Sequence, residues 1–472
     1  MGLSAASLSL NSRISSRLTA VATVVAIFAT SLMGTSAHAQ LGGFGGQAVG
    51  GVVIDAGGVL RSATLDQRQA SLKELRQAIG QPQGDLAEPA ELRMISLAKL
   101  QQAMEERAAS GKPLSDDMRY LAGIQRIQYV FVYPDRNDIV LAGPAQPWTV
   151  RDDASVVGVN SGRPVLKLDD LVVALRSVEP ARTEGITCSI EPTEEGRVRL
   201  QNLLKRVSLR PGQNPSTFEP AMREAFGPQM IKLTGVPSSS HYARTLVAAD
   251  YQMKRLAMAL EDSPVAGLPS YLAISRNQRH SSQSNPRWWM ACNYDALSHT
   301  EDKLAWRISG QGVKTLTETD LITADGKAER GQKADKFATL WADTMTDKFE
   351  DLSKAQSVFG DLRNCFDLSV VATLIVQEQL AQRSGCDLSH LMGNSGTGNS
   401  GEIELVQFSI PKSVEPQCSF VRGASGWVVT ASGGVDVNAF EVVQSQQVDA
   451  TVSGVRTRAA ESDENQSWWW NG

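Results

Sequence analysis

Few residues of this chain have types suited to catalysis, and they are scattered. Of the five histidines, His38 lies in the N-terminal leader described below, which leaves His241, His280, His299 and His390. A serine or cysteine nucleophile needs a base within hydrogen-bond reach, and Ser239 and Ser240 stand beside His241. Neighbours at a helix start point in different directions, however, and a serine there is explained by capping. Asp250 is the second candidate. It sits at the edge of an apolar helical face, where a part-buried carboxylate must be paired or have its pKa raised. The expected pairing is a structural ion pair with Lys254, or with Arg244 or Arg255. Asp250 and His241 are therefore the candidate catalytic residues. There is no G-x-S-x-G elbow, no H-E-x-x-H and no C-x-x-C, so no metal and no cofactor is expected.

Other suggestive stretches have ordinary explanations. Gly43, Gly45 and Ala48 spell G-x-G-x-x-A, but a cleaved leader rather than a strand precedes them, against a nucleotide site. Asp343, Asp347, Glu350 and Asp351 lack the glycine-centred loop of a calcium site and read as the wet side of a helix opposite Trp341 and Phe349. Trp288 and Trp289 are strand neighbours facing opposite ways, so one is expected in the core and the other could serve as a sugar or peptide platform. Trp468, Trp469 and Trp470 end an acidic tail, 459–472, that is expected to be disordered and could anchor to a partner or interface.

The five cysteines, Cys188, Cys292, Cys365, Cys386 and Cys418, are expected to be small buried residues. Cys365 and Cys386 bracket a predicted helix that would hold them about 30 Å apart, beyond the roughly 7 Å a disulfide spans. Cys386 with Cys418 is a conceivable bridge.

The elements that must position these residues centre on 237–272. Tyr242, Leu246, Ala249, Met253, Leu256, Ala257 and Leu260 share one helical face, Val247, Tyr251 and Met258 another. Ser238 to Ser240 supply N-caps, and Pro264 stops the helix before the apolar run Tyr271 to Ile274. The order strand, helix, strand suggests a βαβ-like unit or a helix lying across an antiparallel sheet. Before it, helices are predicted at 65–79, 88–110, 116–124, 168–176, 194–207 and 216–226. Strands are predicted at 148–151, 186–191 and 230–236, and Tyr129–Tyr133 with Ile139–Ala142 reads as a hairpin. After it, 286–294 and 304–308 read as a strand pair. Phe337–Arg363 and Asp367–Arg383 read as a helical block, its first stripe built from Phe337, Leu340, Trp341, Met345, Leu352 and Phe359. Ile403–Ile410 and Gly426–Ala431 read as strands.

Arg13 and Arg17, the apolar run Leu18–Leu32 and Ala37-His38-Ala39 form a secretory signal, 1–39, cleaved near Ala39. The apolar run is too short to span a membrane and nothing later is long enough. The expected address is periplasmic or extracellular. Losing two arginines leaves 44 basic against 51 acidic side chains, a net of −7, which lacks the basic footprint nucleic acid requires.

Val247-Ala248-Ala249-Asp250-Tyr251-Gln252-Met253-Lys254-Arg255-Leu256, with Gly235 to Pro237, Ser270 to Leu272 and Arg287 to Glu318, resembles an uncharacterised family of exported bacterial proteins, domain of unknown function 1598. The resemblance implies an address and an architecture and no activity. The expectation is an α+β fold, antiparallel hairpins packed on long amphipathic helices with a helical block toward the C-terminal third. Its segments are 40–125, glycine-rich and helical; 126–320, central α+β; 330–390, helical; 391–402, a Gly/Ser loop; and 403–458, strands. The lead reading is a non-enzymatic envelope or secreted binding or structural protein with a protein or glycan partner. The alternative is a hydrolase-like enzyme with a site near Asp250 and His241.

Overall fold

The central helix starts where its caps place it but ends at Ala257, short of the expected stop at Pro264, because Ala259 turns left-handed and leaves Leu260 outside the helix and only partly buried. Ser240 accepts the Ala243 N–H at 3.0 Å, and the helix runs His241–Ala257 with Arg255 alone outside the buried set. Tyr242, Leu246, Ala249, Met253, Leu256 and Ala257 all enter the core, as do Val247, Tyr251 and Met258, so both apolar faces are covered. The computed structural model describes residues 49–472 apart from residue 56 and residues 208–213, 276–283, 323–327, 331–335, 394–402, 404, 423–426 and 463–466. The expected signal segment, the G-x-G-x-x-A stretch, His280 and most of the expected Gly/Ser loop lie outside these. Phe44–Gly472 forms one compact unit.

Two sheets organise the α+β fold. Strands β1 (Val52–Ile54) and β2 (Val59–Ser62) come first, then β3 (Ala90–Ser96), the hairpin β4 (Tyr129–Tyr133) with β5 (Asp138–Ala145), and the short pair β6 (Trp148–Val150) and β7 (Val156–Gly158). The middle of the chain supplies β8 (Ile186–Pro192), β9 (Gln229–Thr234), β10 (Ser284–Asn293), β11 (Leu297–His299), β12 (Ala305–Arg307), β13 (Gly312–Ile322) and β14 (Ala328–Arg330). The end supplies β15 (Ser413–Val414), β16 (Cys418–Arg422), β17 (Trp427–Thr430), β18 (Ser432–Val437), β19 (Gln446–Val448) and β20 (Trp469–Asn471). The larger sheet has the order β1-β2-β15-β9-β8-β18-β10-β13-β14, the smaller β19-β11-β12-β4-β5-β3-β20. Most pairs are antiparallel, with β10–β18, β2–β15 and β11–β19 parallel. Each sheet mixes strands from the beginning, middle and end of the chain, so the boundaries at 125, 320 and 403 do not divide it. Among the described residues, no helix is long and apolar enough to cross a membrane.

The central helix lies across β8 and β18, beneath the helices Leu168–Arg176 and Ser357–Gln377. This is a helix on a sheet rather than a βαβ unit, because Tyr271–Ile274 is a short helix capped by Ser270 and not a returning strand. The long helix Ser357–Gln377 is buried without interruption from Ser357 to Ile375. The helical block is therefore divided differently from expectation. It breaks at Lys348, at Gln356 in extended backbone, and at left-handed Gln379, rather than near residue 365. The polar Arg363, Asn364 and Asp367 do not end the helix because each finds a partner inside. Arg363 donates to Glu350 at 2.6 Å, Asn364 to the Pro164 carbonyl at 3.1 Å, and Asp367 takes Arg126 and Tyr294.

Further corrections follow from pairing. Residues 90–96 form β3, and the helix expected from 88 begins only at Leu97. β10 pairs with β13 and β18, whereas β12 pairs with β4 and β11, so the expected strand pair is split between the sheets. The described residues between 403 and 410 form no strand. Leu340 is 51 % exposed and leaves its expected stripe. Glu350 is no wet-face residue, since it binds Arg163, Arg363 and Lys354. All five cysteines are free thiols. The tryptophan tail is ordered: β20 pairs with β3, Trp470 Nε1 donates to the Ala459 carbonyl at 3.0 Å, and Trp468 joins the main core.

Candidate functional site

The central helix carries both sequence candidates and separates them. Near its start, His241 Nδ1 meets the Asp170 carboxylate at 2.9 Å, and Phe408 packs against the ring. Two turns on, Asp250 Oδ2 accepts from Lys254 Nζ at 2.9 Å and from the Ile190 N–H at 3.0 Å. Lys254 also donates to the Ile190 carbonyl at 2.7 Å and the Gly433 carbonyl at 3.1 Å, which engages all three ammonium protons. Burial pushes the Asp250 carboxyl up to about 7 against the pull of that ammonium. Its other oxygen, Oδ1, faces no donor among the described residues.

The described histidines do not gather around Asp250. His299 Nδ1 lies 2.8 Å from the Thr300 carbonyl with Trp306 stacked beside it, and His390 sits in the short helix Ser389–Met392. Among the described residues, no group of three or more histidine, cysteine, aspartate or glutamate side chains is placed to hold a metal ion. Of the paired tryptophans, Trp288 is the core member, and Arg287 covers the Trp289 ring at 4.6 Å.

A cleft of about 350 Å³ opens farther along the same helix. One wall is the Gly50–Gly51 turn with Ser62 and Arg68, and a second is the end of the central helix with Gln252, Arg255 and the following Glu261. The third is the junction where one helix ends at Ala355 and the long helix begins at Ser357. Local sequence explains each wall. Gly50 has φ +58, and a Cβ there would come within 2.7 Å of Val358, so only glycine lets the turn approach the helix start. Gln356 is the N-cap of the long helix but makes no capping hydrogen bond, and its side chain turns into the cleft instead.

The charged groups of the cleft are satisfied. Glu261 accepts from Arg255 Nε at 3.1 Å and Gln356 Nε2 at 3.0 Å. Asp153 accepts from Arg151 at 2.5 Å and Ser357 Oγ at 2.9 Å. Burial opposes ionisation of Asp153, yet these bonds, with Ser155 and the Arg151 charge, hold its carboxyl below the usual range. The amide oxygens behave differently. Gln252 is 7 % exposed, its Nε2 donates to the Gly50 carbonyl at 3.4 Å, and its Oε1 has no donor. Gln356 Oε1 is also buried without a donor. Flipping Gln356 would set its oxygen against the Glu261 carboxylate, so its orientation is fixed by its neighbours.

Residues 188–271 match the family described as protein of unknown function, DUF1598. No curated protein and no solved structure matches the chain. The DUF1598 segment runs from within β8 through the central helix to Tyr271, and it supplies Gln252, Arg255 and Glu261 to the cleft. Asp153, Gln356 and Ser357 come from outside it. Sequence reasoning singled out neither glutamine. Gln252 carried one signal, a polar side chain inside a helix with two apolar faces. Gln356 carried none, since it read as helix interior.

Proposed function

We propose that the chain is a non-enzymatic binding protein that holds a small polar ligand in the cleft between the Gly50 turn, the central helix and the start of the long helix. The observation that carries this reading is the cleft itself, a space of about 350 Å³ into which separated stretches of chain bring Arg68, Asp153, Gln252, Arg255, Glu261 and Gln356. Small-molecule sites are concave spaces of about this size with a few placed polar groups, and this cleft gathers two guanidinium groups, two carboxylates, two amides and two hydroxyls. Asp250 and His241, held by Lys254 and Asp170, serve in this reading to fix the helix that presents Gln252.

Export is the second part of the proposal, supported by the Arg13 and Arg17 start, the Leu18–Leu32 run and Ala37-His38-Ala39. N-terminal sequencing of protein recovered from cell fractions tests it, with Gln40 expected as the first residue of material outside the cytoplasm. For the cleft, a melting screen of neutral, cationic and anionic small molecules is expected to give at least one stabilising compound whose effect disappears in Gln356→Leu. Hits that survive both Gln252→Leu and Gln356→Leu would remove the cleft from the reading.

A further inference from the structure

We infer that the ligand is a small organic monocarboxylate, its carboxylate held end-on by the guanidinium group of Arg68. This rests on the reading of the cleft as a binding site and adds the chemical class. The other charged groups of the lining are already engaged within the protein. Glu261 accepts from Arg255 through one oxygen and from Gln356 through the other. Asp153 accepts from Arg151 and Ser357 through Oδ2 and from the Ser155 N–H through Oδ1. Every carboxylate oxygen of the lining therefore has a donor, and nothing there calls for a cation.

Arg68 is the exception. It is exposed to solvent, forms no ion pair among the described residues, and spends Nε alone, on the Ala63 carbonyl at 3.1 Å. The fork of its two terminal nitrogens is left to solvent at the cleft, and that fork matches the two oxygens of a carboxylate. Counting Arg151 behind Asp153, three guanidinium groups meet two carboxylates, which leaves one positive charge uncompensated. One surplus charge suits a monoanion. A dianion would bring its second charge against Asp153 and Glu261, each already matched by its own arginine. The long helix starts at Ser357 in the same lining without a side-chain cap, and the positive end of its dipole adds to the attraction. A space of about 350 Å³ exceeds what a bare carboxylate fills, so the ligand carries a small organic body that meets Ala355, Val358 and the Gly50–Gly51 turn. Solvent and salt screen an exposed guanidinium, so affinity is modest.

Titration calorimetry on the full chain tests the assignment, with acetate, lactate and gluconate as monocarboxylates and glucose, lysine, succinate and inorganic phosphate as contrasting probes. At least one monocarboxylate is expected to bind, more weakly as sodium chloride is raised, and Arg68→Met to weaken it roughly tenfold, the loss expected for hydrogen bonds to a charged group. Arg68→Lys keeps the charge without the fork and should fall between. Both variants are first shown to melt like the parent. Should either misfold, the salt series on the parent decides, and an affinity indifferent to salt overturns the ionic contact. Failure of all three monocarboxylates to bind overturns the class; the cleft survives that result if another probe binds and loses affinity in Gln356→Leu. Tighter binding of succinate or phosphate than of any monocarboxylate also overturns the class. A monocarboxylate whose affinity is unchanged in Arg68→Met overturns the place assigned to it.

Discussion

Two polar regions sit on the central helix within one turn of each other, and they differ in what they leave open. At Lys254 every ammonium proton has a partner inside the protein, two of them backbone carbonyls of β8 and of the strand start beside it. At Gln252 the amide gives its nitrogen to Gly50 and keeps its oxygen buried and unpaired. The first arrangement pins the helix to the sheet and has no use for a ligand. Gln252 belongs to the lining of the cleft, and Asp250 and Lys254 do not. Unmet hydrogen bonds do not distinguish the two regions, since Asp250 Oδ1 lacks a donor as Gln252 Oε1 does; their places relative to the cleft do.

Removing Lys254 should break the closed region outright. Lys254→Met leaves the Asp250 carboxylate without a counter-ion and two carbonyls without a donor, and losing one member of a buried pair costs about 3–5 kcal/mol. Urea melts of the purified protein should show this loss, larger at pH 8 than at pH 5. Asp250→Leu combined with Lys254→Met should recover most of it, because a buried pair replaced by apolar groups is often neutral. A Lys254→Met protein as stable as the parent would show that the pair does not anchor the helix.

Deleting residues 468–472 probes a different closed contact, the strand that covers the β3 edge. It removes Trp468 and Trp470, of 8 % and 6 % exposure, and should cost roughly 3–5 kcal/mol, the scale of a large core truncation. Affinity for any cleft ligand should be unchanged, since none of these residues lines the cleft. Recovery of the deleted protein with an unaltered melt would return this segment to the status of a free tail.

A smaller effect is the pH dependence carried by Asp250. Its folded pKa, about 7, lies above the usual carboxylate value because burial disfavours the charged form. The stability it contributes is therefore complete below about pH 4 and lost as pH rises through 7, at no more than about 1.4 kcal/mol per unit. Carboxyls such as Asp153 and Glu350, held low by arginines, run the opposite way and gain stability as pH rises past their folded values. The contribution of Asp250 is isolated as the parent minus Asp250→Asn difference, which should fall between pH 4 and 7. A flat difference would mean that Lys254 fully offsets the burial.

Much of the architecture was legible because it rests on local signals. The central helix showed its period and its Ser240 cap, Leu168–Arg176 its amphipathic stripe, and β4 with β5 its two apolar runs around a turn at Pro134. Asp250 with Lys254 was legible too, as an i,i+4 pair on a buried face. Most of what failed depended on contacts far away in sequence, and one failure was local. Tyr271–Ile274 has strand-like residues but a serine cap makes it a helix. Arg363 and Asp367 looked like a helix boundary until Glu350 and Arg126 supplied partners. The tryptophan tail looked unattached because β3 lies more than three hundred residues earlier. The cleft was the least legible part, since it joins Gly50, Asp153, Gln252 and Gln356 from four separated stretches, and an unmet hydrogen bond has no sequence pattern.

The smallest expected effect is also the sharpest test of the contrast. Gln252→Leu exchanges a buried amide for an apolar side chain of similar size. It gives up one long hydrogen bond, 3.4 Å to Gly50, and relieves an oxygen that has no donor. The lost bond is worth at most about 1 kcal/mol and the relieved penalty about 1–3, so stability should hold or rise by about 1 kcal/mol. Lys254, two residues on, should lose several times that when truncated. If Gln252→Leu instead destabilised the protein as much as Lys254→Met, the glutamine would belong with the closed region and its oxygen would have a partner in solution.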